Sequence, residues 1–407
     1  MPRLSVTSEV GQLRRVIVHR PGIELARLTP SNSEELLFDD SLWLERADEE
    51  HDAFADALRG AGAEVLYFDQ LLRETLTSTG ARGWVLGQTF DDRTFGPALA
   101  EALQSHLAHA EVDELYNVLV GGLTKQEALD RMPVPQSVVF GIAHPYDFLV
   151  TPLTNHLFTR DATCWIGDGV SVNSMKHFAR RREAVNYRAI LRWHPLFAGT
   201  GHRVWSEDLE TGNATIEGGD VLVISPDALL VGISERTTPQ AIERLALRLF
   251  ADNALKRIVA VRLPARRAFM HLDTVLTMVD PESFLLYADL PQPECYLIEP
   301  GDMDLPLRTT RLDGDLASSL AVALGIDSVR ILSTQQDYFA RERDQWHDGC
   351  NVLAVAPGTV IGYERNQASI ADLRAGGIEV IEVPGSELGR GRGGPRCMSC
   401  PIERDPL

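Results

Sequence analysis

Residues 220 to 263 read D-VLVI-SPD-ALLVGIS-ERTT-PQAIERLALRLFA-DNALK-RIVAVRL, and this stretch carries a complete supersecondary unit. Two apolar, β-branched runs flank the turn SPD at 225–227, so they predict two strands joined by a tight turn. Apolar residues at helical spacing follow over 239–251, and the run RIVAVRL predicts a third strand. The stretch therefore predicts the order strand, turn, strand, helix, strand.

The same unit recurs along the chain. Further copies begin at Asn351, at Ala162 and at Asp273, and in the last of these the final strand is less clear. An N-terminal strand, helix and strand within residues 13–68 supply a partial fifth copy. Repetition at this period is typical of one unit arranged about an axis, as in a propeller, or stacked in a line. We therefore expect an α/β fold built from repeated units.

One long span departs from this repeat. From residue 71 to residue 148 the pattern is mostly helical, as over 97–110 and 112–120, with few strand signals. We interpret residues 71–148 as an inserted helical subdomain. The repeated α/β body then comprises residues 1–70 and 149–407.

Composition and charge exclude several classes of protein. The chain has 407 residues, 44% of them hydrophobic, and a net charge of −19. Such a chain can bury a large core, but it lacks the basic field that binds nucleic acid. No segment approaches the roughly 20 apolar residues of a membrane span, and the N-terminus has no apolar signal region. We expect a cytoplasmic protein that binds neither nucleic acid nor membranes.

Cysteine usage agrees with a reducing compartment. The chain has an odd number of widely spaced cysteines, which is not typical of a disulfide framework; they are Cys164, Cys295, Cys350, Cys397 and Cys400. The last two form a C-x-x-C pair. Without a second such pair or a spaced histidine pair nearby, this is weak evidence for zinc or redox chemistry. We expect no metal and no cofactor.

The glycine-rich segment 389–401, GRGRGGPRCMSCP, holds Cys397. Its glycines and proline are incompatible with a regular helix or strand, so we expect a sharply bending loop with an accessible thiol. Because nearby guanidinium groups lower a thiol pKa, Arg390, Arg392 and Arg396 predict an increased thiolate fraction. The alternative is a mobile tail with an incidental cysteine, unless partner residues exist elsewhere in the chain.

Polar residues stand immediately before the first strands of successive units, and they supply such partners. They are Asp161 in TRD, Glu217 and Asp220 in EGGD, and His271 and Asp273 in HLD. Each alone has a structural explanation, as a turn residue or a satisfied core histidine. Equivalent positions of units around an axis converge at one end of it, however, and Cys397 follows the last unit. Their shared position favours one site.

A thiol, an imidazole and several carboxylates suggest a definite chemistry. Cys397 would be a nucleophile and His271 a general acid and base. Several acids at one site favour a cationic substrate, and two fixed carboxylates such as Asp161 and Asp273 suit a planar guanidinium. A protease-like site would instead need an oxyanion hole and at most one orienting acid.

Seven motifs follow one another in a specific order. They are SEVG (8–11), TPSN with ELLFDD (29–40), LFTRD (157–161), EGGD (217–220), SERT (234–237), MHLDT (270–274) and GRGGPRCMSCP (391–401). Through them the chain resembles bacterial arginine deiminases over nearly its full length. The resemblance implies the pentein fold of guanidine-modifying enzymes, a five-bladed pseudo-symmetric α/β propeller with a helical insertion.

The resemblance also implies roles for the residues that match its motifs. Cys397 would attack the guanidinium carbon, with His271 as general acid and then base. Glu217 would orient His271, while Asp161 and Asp273 would hold the guanidinium nitrogens. The implied substrate-binding residues are Asn155, Arg180 and Arg236 at the α-carboxylate, Arg392 on a mobile loop that gates access, and Leu37. Glu9 and Asp220 would support the catalytic residues from behind.

The implied reaction is hydrolysis of free L-arginine to L-citrulline and ammonia through a covalent intermediate on Cys397, the first step of arginine degradation. Two alternatives stay open. One is an amidinotransferase on the same fold, and the other is a non-catalytic arginine-binding protein. Agmatine is disfavoured because it has no carboxylate for the arginines to bind. We also expect a homodimer or homotetramer.

Overall fold

The computed structural model describes residues 4–207, 212–302 and 304–407. Within this part of the chain there are nineteen strands and fifteen α-helices. The strands are β1 (Leu13–Val18), β2 (Glu64–Tyr67), β3 (Leu123–Thr124), β4 (Phe148–Val150), β5 (Thr163–Ile166), β6 (Gly169–Val172), β7 (Arg203–Ser206), β8 (Val221–Ser225), β9 (Ala228–Ile233), β10 (Arg257–Arg262), β11 (Leu276–Asp280), β12 (Ser283–Leu286), β13 (Cys295–Pro300), β14 (Leu307–Leu312), β15 (Arg330–Leu332), β16 (Leu353–Ala356), β17 (Thr359–Tyr363), β18 (Glu379–Val383) and β19 (Cys400–Arg404).

The α-helices connect these strands or cluster before β4. They are α1 (Ile23–Ala26), α2 (Leu44–Gly60), α3 (Phe68–Leu76), α4 (Thr79–Thr89), α5 (Asp92–Phe95), α6 (Pro97–Leu107), α7 (Val112–Gly121), α8 (Lys125–Arg131), α9 (Val138–Ile142), α10 (Thr159–Ala162), α11 (Arg181–Trp193), α12 (Pro239–Ala251), α13 (Leu316–Leu324), α14 (Tyr338–Trp346) and α15 (Gln367–Ala375). Short 3-10 turns lie at Thr154–Leu157, Phe178–Arg180, Gly218–Asp220, Arg267–Phe269, Leu272–Thr274 and Leu388–Gly391.

Five sheets of the described chain share one strand pattern. In each, the first strand is antiparallel to the second, and a helix crosses over to a third strand that is parallel to the second. The strand orders are β5-β6-β7, β8-β9-β10, β11-β12-β15, β16-β17-β18 and β19-β1-β2. The repeated α/β unit predicted from the sequence is therefore present, with all four elements of the 220–263 copy at the expected places. The closed arrangement of these sheets about one axis stays a prediction.

The sheet predicted as partial is completed by the other end of the chain. Strand β19, directly after the cysteine-bearing loop, pairs antiparallel with β1, and β1 pairs parallel with β2. The unit that begins at Asp273 is less regular because a hairpin is inserted between its second and third strands. This hairpin, β13 and β14, pairs with β10 and so extends the neighbouring sheet, and the third strand of the unit, β15, follows it in the chain.

The helical span packs directly against the sheets. Buried Leu72, Leu103 and Leu119 belong to the same hydrophobic cluster as Trp165 of β5 and Ile190 of α11. Burial of such side chains is the main favourable term in folding, about 1.5–3 kcal/mol for each large apolar side chain. The helical span and the sheets therefore share a hydrophobic core. The division of the chain into residues 1–70 with 149–407 and residues 71–148 stays a prediction.

None of the described helices combines the length and the apolar character that crossing a bilayer requires.

Candidate active site

Cys397 lies in the buried loop between β18 and β19. Only 4% of the Cys397 surface is exposed to solvent. The Asn351 side chain accepts a hydrogen bond from the Cys397 backbone N–H at 3.0 Å, and its Nδ2 lies 3.1 Å from the Cys397 sulfur. The sulfur is also 3.6 Å from Oδ2 of Asp273. The thiol is therefore enclosed by polar groups rather than held out to solvent.

This environment reverses two expectations for the thiol. The accessible thiol predicted from the glycine-rich sequence is buried, and burial followed by the charges of Asp273 and Asp161 raises the pKa of Cys397 well above its usual value. Arg396 opposes this increase, but it is outweighed. Arg390 instead forms ion pairs at the surface with Asp40 and Glu387. The thiol is thus protonated in the resting protein.

The glycines of the loop are required by close packing. A Cβ added to Gly393 would lie 2.3 Å from the Phe158 ring, and one added to Gly391 would lie 2.7 Å from the Phe38 ring. A real Cβ is not found this close to another heavy atom, so the loop fits against these rings only with glycine at both positions. The Tyr363 hydroxyl also donates a hydrogen bond to the Gly393 carbonyl at 2.9 Å. The loop is a packed element in this structure.

Arg392 is a buried residue of the same loop. It is 5% exposed, yet none of its three guanidinium nitrogens has a hydrogen-bond partner among the described residues. Its guanidinium carbon stacks 3.5 Å above the Trp346 ring. Its backbone has φ 62°, a left-handed conformation that is strained for a residue with a side chain. Such strain often marks functional positions.

His271 sits between two carboxylates. Its Nε2 lies 2.8 Å from Oε2 of Glu217, and its Nδ1 lies 3.7 Å from Oδ1 of Asp161. Burial alone would lower the pKa of His271, but Asp161, Glu217 and Asp220 raise it to about 9. The imidazole is therefore protonated at neutral pH and can act as an acid.

Glu217 is correspondingly held ionised. Burial alone would raise its pKa, but Arg236, His271 and Arg180 together hold the pKa of Glu217 well below its usual value. The ligand atoms of Asp161, Glu217 and His271 lie within 4.8 Å of one another, a spacing that a metal ion could use. Arg180 and Arg236 already form ion pairs with the two carboxylates, so this cluster is better suited to hold a proton on His271 than to bind a metal ion.

The two carboxylates predicted to hold a guanidinium are paired with arginines of the chain itself. Asp161 accepts a hydrogen bond from Arg180 at 2.8 Å, and Asp273 accepts one from Arg396 at 2.7 Å. Oδ1 of Asp273 has no hydrogen-bond partner among the described residues although the residue is fully buried. That oxygen is a free acceptor beside the thiol.

The structure brings the remaining predicted residues to the same region. Arg180 is bound by Glu183 as well as Asp161, and it donates to the Asn155 carbonyl at 3.3 Å. The Asn155 side chain donates to the Leu36 carbonyl at 2.7 Å. Leu37 has φ 63°, and its carbonyl accepts a hydrogen bond from Arg267. Their roles in binding substrate stay predictions.

Glu9, Asp220 and Arg236 contact residues next to the reacting groups or the predicted catalytic residues themselves. Oε2 of Glu9 accepts a hydrogen bond from Arg396 at 3.0 Å, which fixes the guanidinium that contacts Asp273. Oδ1 of Asp220 accepts one from the Leu272 backbone N–H at 2.8 Å, between His271 and Asp273. Arg236 lies 3.3 Å from Glu217. Each side chain thus holds a predicted catalytic residue in place.

Sequence reasoning missed three residues near the thiol. Asn351 contacts Cys397 directly, Trp346 stacks on Arg392, and burial raises the pKa of Asp348 to about 7. Asn351 was detectable, since it precedes the first strand of its unit as Asp161 and Asp273 do. No repeat position marks Trp346 or Asp348.

The described fold is similar to several solved structures. An amidinotransferase, SxtG from Microseira wollei, from a saxitoxin biosynthetic pathway, is 15% identical with a TM-score of 0.59, over 99% of this chain and 98% of that one. The N-terminal domain of ArgZ, a cyanobacterial arginine dihydrolase, is 13% identical with a TM-score of 0.54, over 96% and 97%. AgrE bound to L-arginine is 14% identical with a TM-score of 0.54, over 97% of this chain and 41% of that chain.

These neighbours have the pentein fold. A family model described as arginine deiminase matches residues 34–404. This match, together with the enzyme neighbours of the same fold, supports an enzyme that acts on amidines. The chain therefore belongs to the arginine deiminase family.

Proposed function

We propose that this protein is an arginine deiminase that hydrolyses free L-arginine to L-citrulline and ammonia. The observation that carries the proposal is how the two carboxylates relate to the reacting groups. Asp273 lies 3.6 Å from the Cys397 sulfur, and Asp161 lies 3.7 Å from His271. A planar guanidinium held by both carboxylates would therefore have the nucleophile near one side and a proton donor near the other.

The charges favour a cationic substrate. The carboxylates disfavour the thiolate in the resting site, whereas a bound guanidinium would bring a positive charge beside the sulfur and stabilise it. The free Oδ1 of Asp273 is available to accept one of its N–H groups. The buried Arg392 guanidinium has no hydrogen-bond partner among the described residues, so it is available to contact substrate.

The reaction follows from these positions. When the guanidinium binds, the Cys397 thiol loses its proton to solvent. The resulting thiolate forms a bond to the guanidinium carbon, and the C=N π electrons move to nitrogen. His271 gives its proton to one terminal nitrogen, which leaves as ammonia and yields a thiouronium intermediate on Cys397. Water then adds to the same carbon and gives a proton to His271. The carbon–sulfur bond breaks, its electron pair returns to sulfur, and citrulline forms with loss of a proton.

The test is product analysis with arginine as the sole substrate, on the wild type and on Cys397→Ala. We expect equal amounts of citrulline and ammonia from the wild type and at least about a 1,000-fold loss in Cys397→Ala, because the nucleophile is absent. Agmatine serves as the matched substrate without a carboxylate, and we expect poor turnover of it.

Other products would identify the alternatives. Turnover that requires an added primary amine would indicate an amidinotransferase, and release of ornithine would indicate hydrolysis beyond citrulline. Arginine binding without turnover would indicate a binding protein. Citrulline formation that survives in Cys397→Ala would overturn the covalent mechanism.

A further inference from the structure

Asn351 is fully buried and lies two residues before the start of β16 at Leu353. Its Oδ1 is 3.0 Å from the Cys397 backbone nitrogen. Its Nδ2 is 3.1 Å from the Asp273 carbonyl oxygen and 3.1 Å from the Cys397 sulfur. One amide therefore touches both the backbone and the sulfur of the same cysteine.

The orientation of this amide is fixed by its partners. A backbone N–H can only donate a hydrogen bond, so the amide oxygen must face the Cys397 nitrogen. A backbone carbonyl can only accept, so the amide nitrogen must face Asp273. The nitrogen carries two N–H groups, one for the Asp273 carbonyl and one for the sulfur. A flipped amide would lose both backbone hydrogen bonds.

The surroundings of the sulfur make this donor important. Asp273, Asp161 and Asp348 all oppose a negative charge on Cys397. The Arg396 guanidinium favours that charge, but its hydrogen bonds go to Glu9, Asp273 and the Val221 carbonyl. Among the residues that the structure describes, the Asn351 side chain is the group that donates a hydrogen bond to this sulfur.

We propose that Asn351 is a catalytic residue whose side-chain amide hydrogen-bonds the Cys397 sulfur and stabilises its anion. The anion forms before attack on substrate and again when the carbon–sulfur bond breaks. The inference rests on the proposed role of Cys397 as nucleophile. Hydrogen bonds to charged groups are among the stronger ones, so a single donor has a measurable effect on thiol ionisation.

The test measures ionisation of Cys397 without substrate, in wild type, Asn351→Ala and Asn351→Asp. Iodoacetamide labelling of the Cys397 peptide, quantified by mass spectrometry across a pH series, gives the midpoint of thiolate formation. We expect Asn351→Ala to raise the midpoint and to slow labelling at neutral pH by about 10- to 100-fold. Asn351→Asp should raise it further, because it places a carboxylate where the donor was.

Asn173→Ala is the matched control. Asn173 is also fully buried, and its Nδ2 donates to the Asp161 carbonyl at 2.7 Å as Asn351 does to that of Asp273. The other described hydrogen bonds of its side chain are with Ser171 and Cys164, not with Cys397. We expect Asn173→Ala to leave the midpoint of Cys397 ionisation unchanged. This control distinguishes loss of the hydrogen bond to the sulfur from a general loss of packing around the site.

A midpoint that stays at the wild-type value in Asn351→Ala, or that rises equally in Asn173→Ala, would overturn the proposal. Asn351→Ser leaves a smaller void than Asn351→Ala, so it is the second variant should Asn351→Ala not fold. The same rise is expected for it, since the shorter serine side chain lacks the amide nitrogen that contacts the sulfur. Absence of citrulline from the wild type would count against the proposed function alone, because the labelling needs no substrate.

Discussion

His271 carries a positive charge in the resting site because three carboxylates surround it. A general acid must be protonated to work, and a histidine at its ordinary pKa would be mostly neutral at pH 7.5. Here Asp161, Glu217 and Asp220 outweigh the effect of burial and bring the pKa of His271 to about 9. His271 therefore stays protonated, and able to act as an acid, across the physiological pH range.

This predicts the alkaline limb of the activity profile. In the substrate complex, where the bound guanidinium favours the Cys397 thiolate, kcat for citrulline formation should fall at alkaline pH as His271 loses its proton. Glu217→Gln removes one charge that raises this pKa, so its falling limb should move to lower pH by about one unit. Initial rates from pH 5 to 10 test both statements. A limb at the same pH in both proteins would contradict the assignment of the acid.

The thiol shows why the charges of a site are hard to predict from neighbours in sequence. Three arginines close to Cys397 along the chain predict a lowered pKa, but Arg390 is bound by Asp40 and Glu387, and Arg396 is bound by Glu9 and Asp273. A charge acts on what it is near in space after its partners are counted. Folding brings Asp273 and Asp161 to the sulfur instead.

At the scale of elements, the loop before β19 is held by contacts along its length. The Glu50 carboxylate of α2 accepts hydrogen bonds from the backbone N–H groups of Ser386, Glu387 and Leu388. The Tyr363 hydroxyl of β17 then holds Gly393. These contacts make the loop a rigid support for Cys397, whereas the Arg392 guanidinium stacks on Trp346 without a hydrogen bond to the described residues.

Gly393→Ala tests that packing. Its Cβ would lie 2.3 Å from Phe158 and 3.1 Å from the Cβ of Cys397, so the loop must shift and carry the nucleophile with it. We expect a loss of about 1–3 kcal/mol in the free energy of unfolding, as for other overpacked sites, and at least about a 100-fold loss of kcat. Urea unfolding and the citrulline assay measure the two effects.

Gly389→Ala is the control from the same loop. Its added Cβ would have its nearest neighbour, the Tyr363 ring, at 3.7 Å, an ordinary contact distance. We expect stability and activity close to the wild type. Equal losses in both variants would mean that general flexibility of the loop, rather than close packing at Gly393, explains its glycines.

At the scale of the whole molecule, several ionisable groups are buried in unusual charge states. Burial raises the pKa of Asp220, Glu183 and Asp348 to about 7 each. For a carboxyl whose pKa is raised on folding, the stabilisation is complete below the unfolded value near 4 and is lost as pH rises through 7. His271, raised to about 9, loses its contribution in the same direction between about 6.5 and 9.

Another buried histidine acts in the opposite sense. Burial lowers the pKa of His51 to about 3, so the stability it contributes is present above its unfolded value near 6.5 and is lost as pH falls. Between about pH 4 and 6.5 the three carboxyls outweigh His51, so we expect the free energy of unfolding to be greatest near pH 4 to 5 and to fall as the pH rises. It should be lower at pH 8.5 than at pH 6 by at least about 1 kcal/mol.

Urea unfolding at constant ionic strength measures this difference. Asp348→Asn removes one of the carboxyls that must ionise inside the protein, so the difference between pH 6 and pH 8.5 should become smaller in this variant. Greater stability at pH 8.5 than at pH 6 would show that the buried carboxyls do not control the pH dependence. The net charge of −19 acts in the same direction as they do, and added salt reduces its share.

The sequence by itself determined the repeating unit, because strand and helix periodicity and turn residues act over short distances. It also determined which residues precede the strands, and so it indicated Asp161, Glu217, His271 and Asp273 as parts of one site. Seven ordered motifs were enough to indicate the arginine deiminase family.

Only the tertiary structure decided how those residues are paired. Strand β19 completes the sheet that β1 begins, a pairing between the two ends of the chain that no local pattern encodes. The same long-range packing places Asn351 on the Cys397 sulfur, gives Asp161 and Asp273 arginine partners, and buries the thiol. Hydrogen bonds and charge effects depend on distance and solvent exposure, and these are set only when segments far apart in sequence come together.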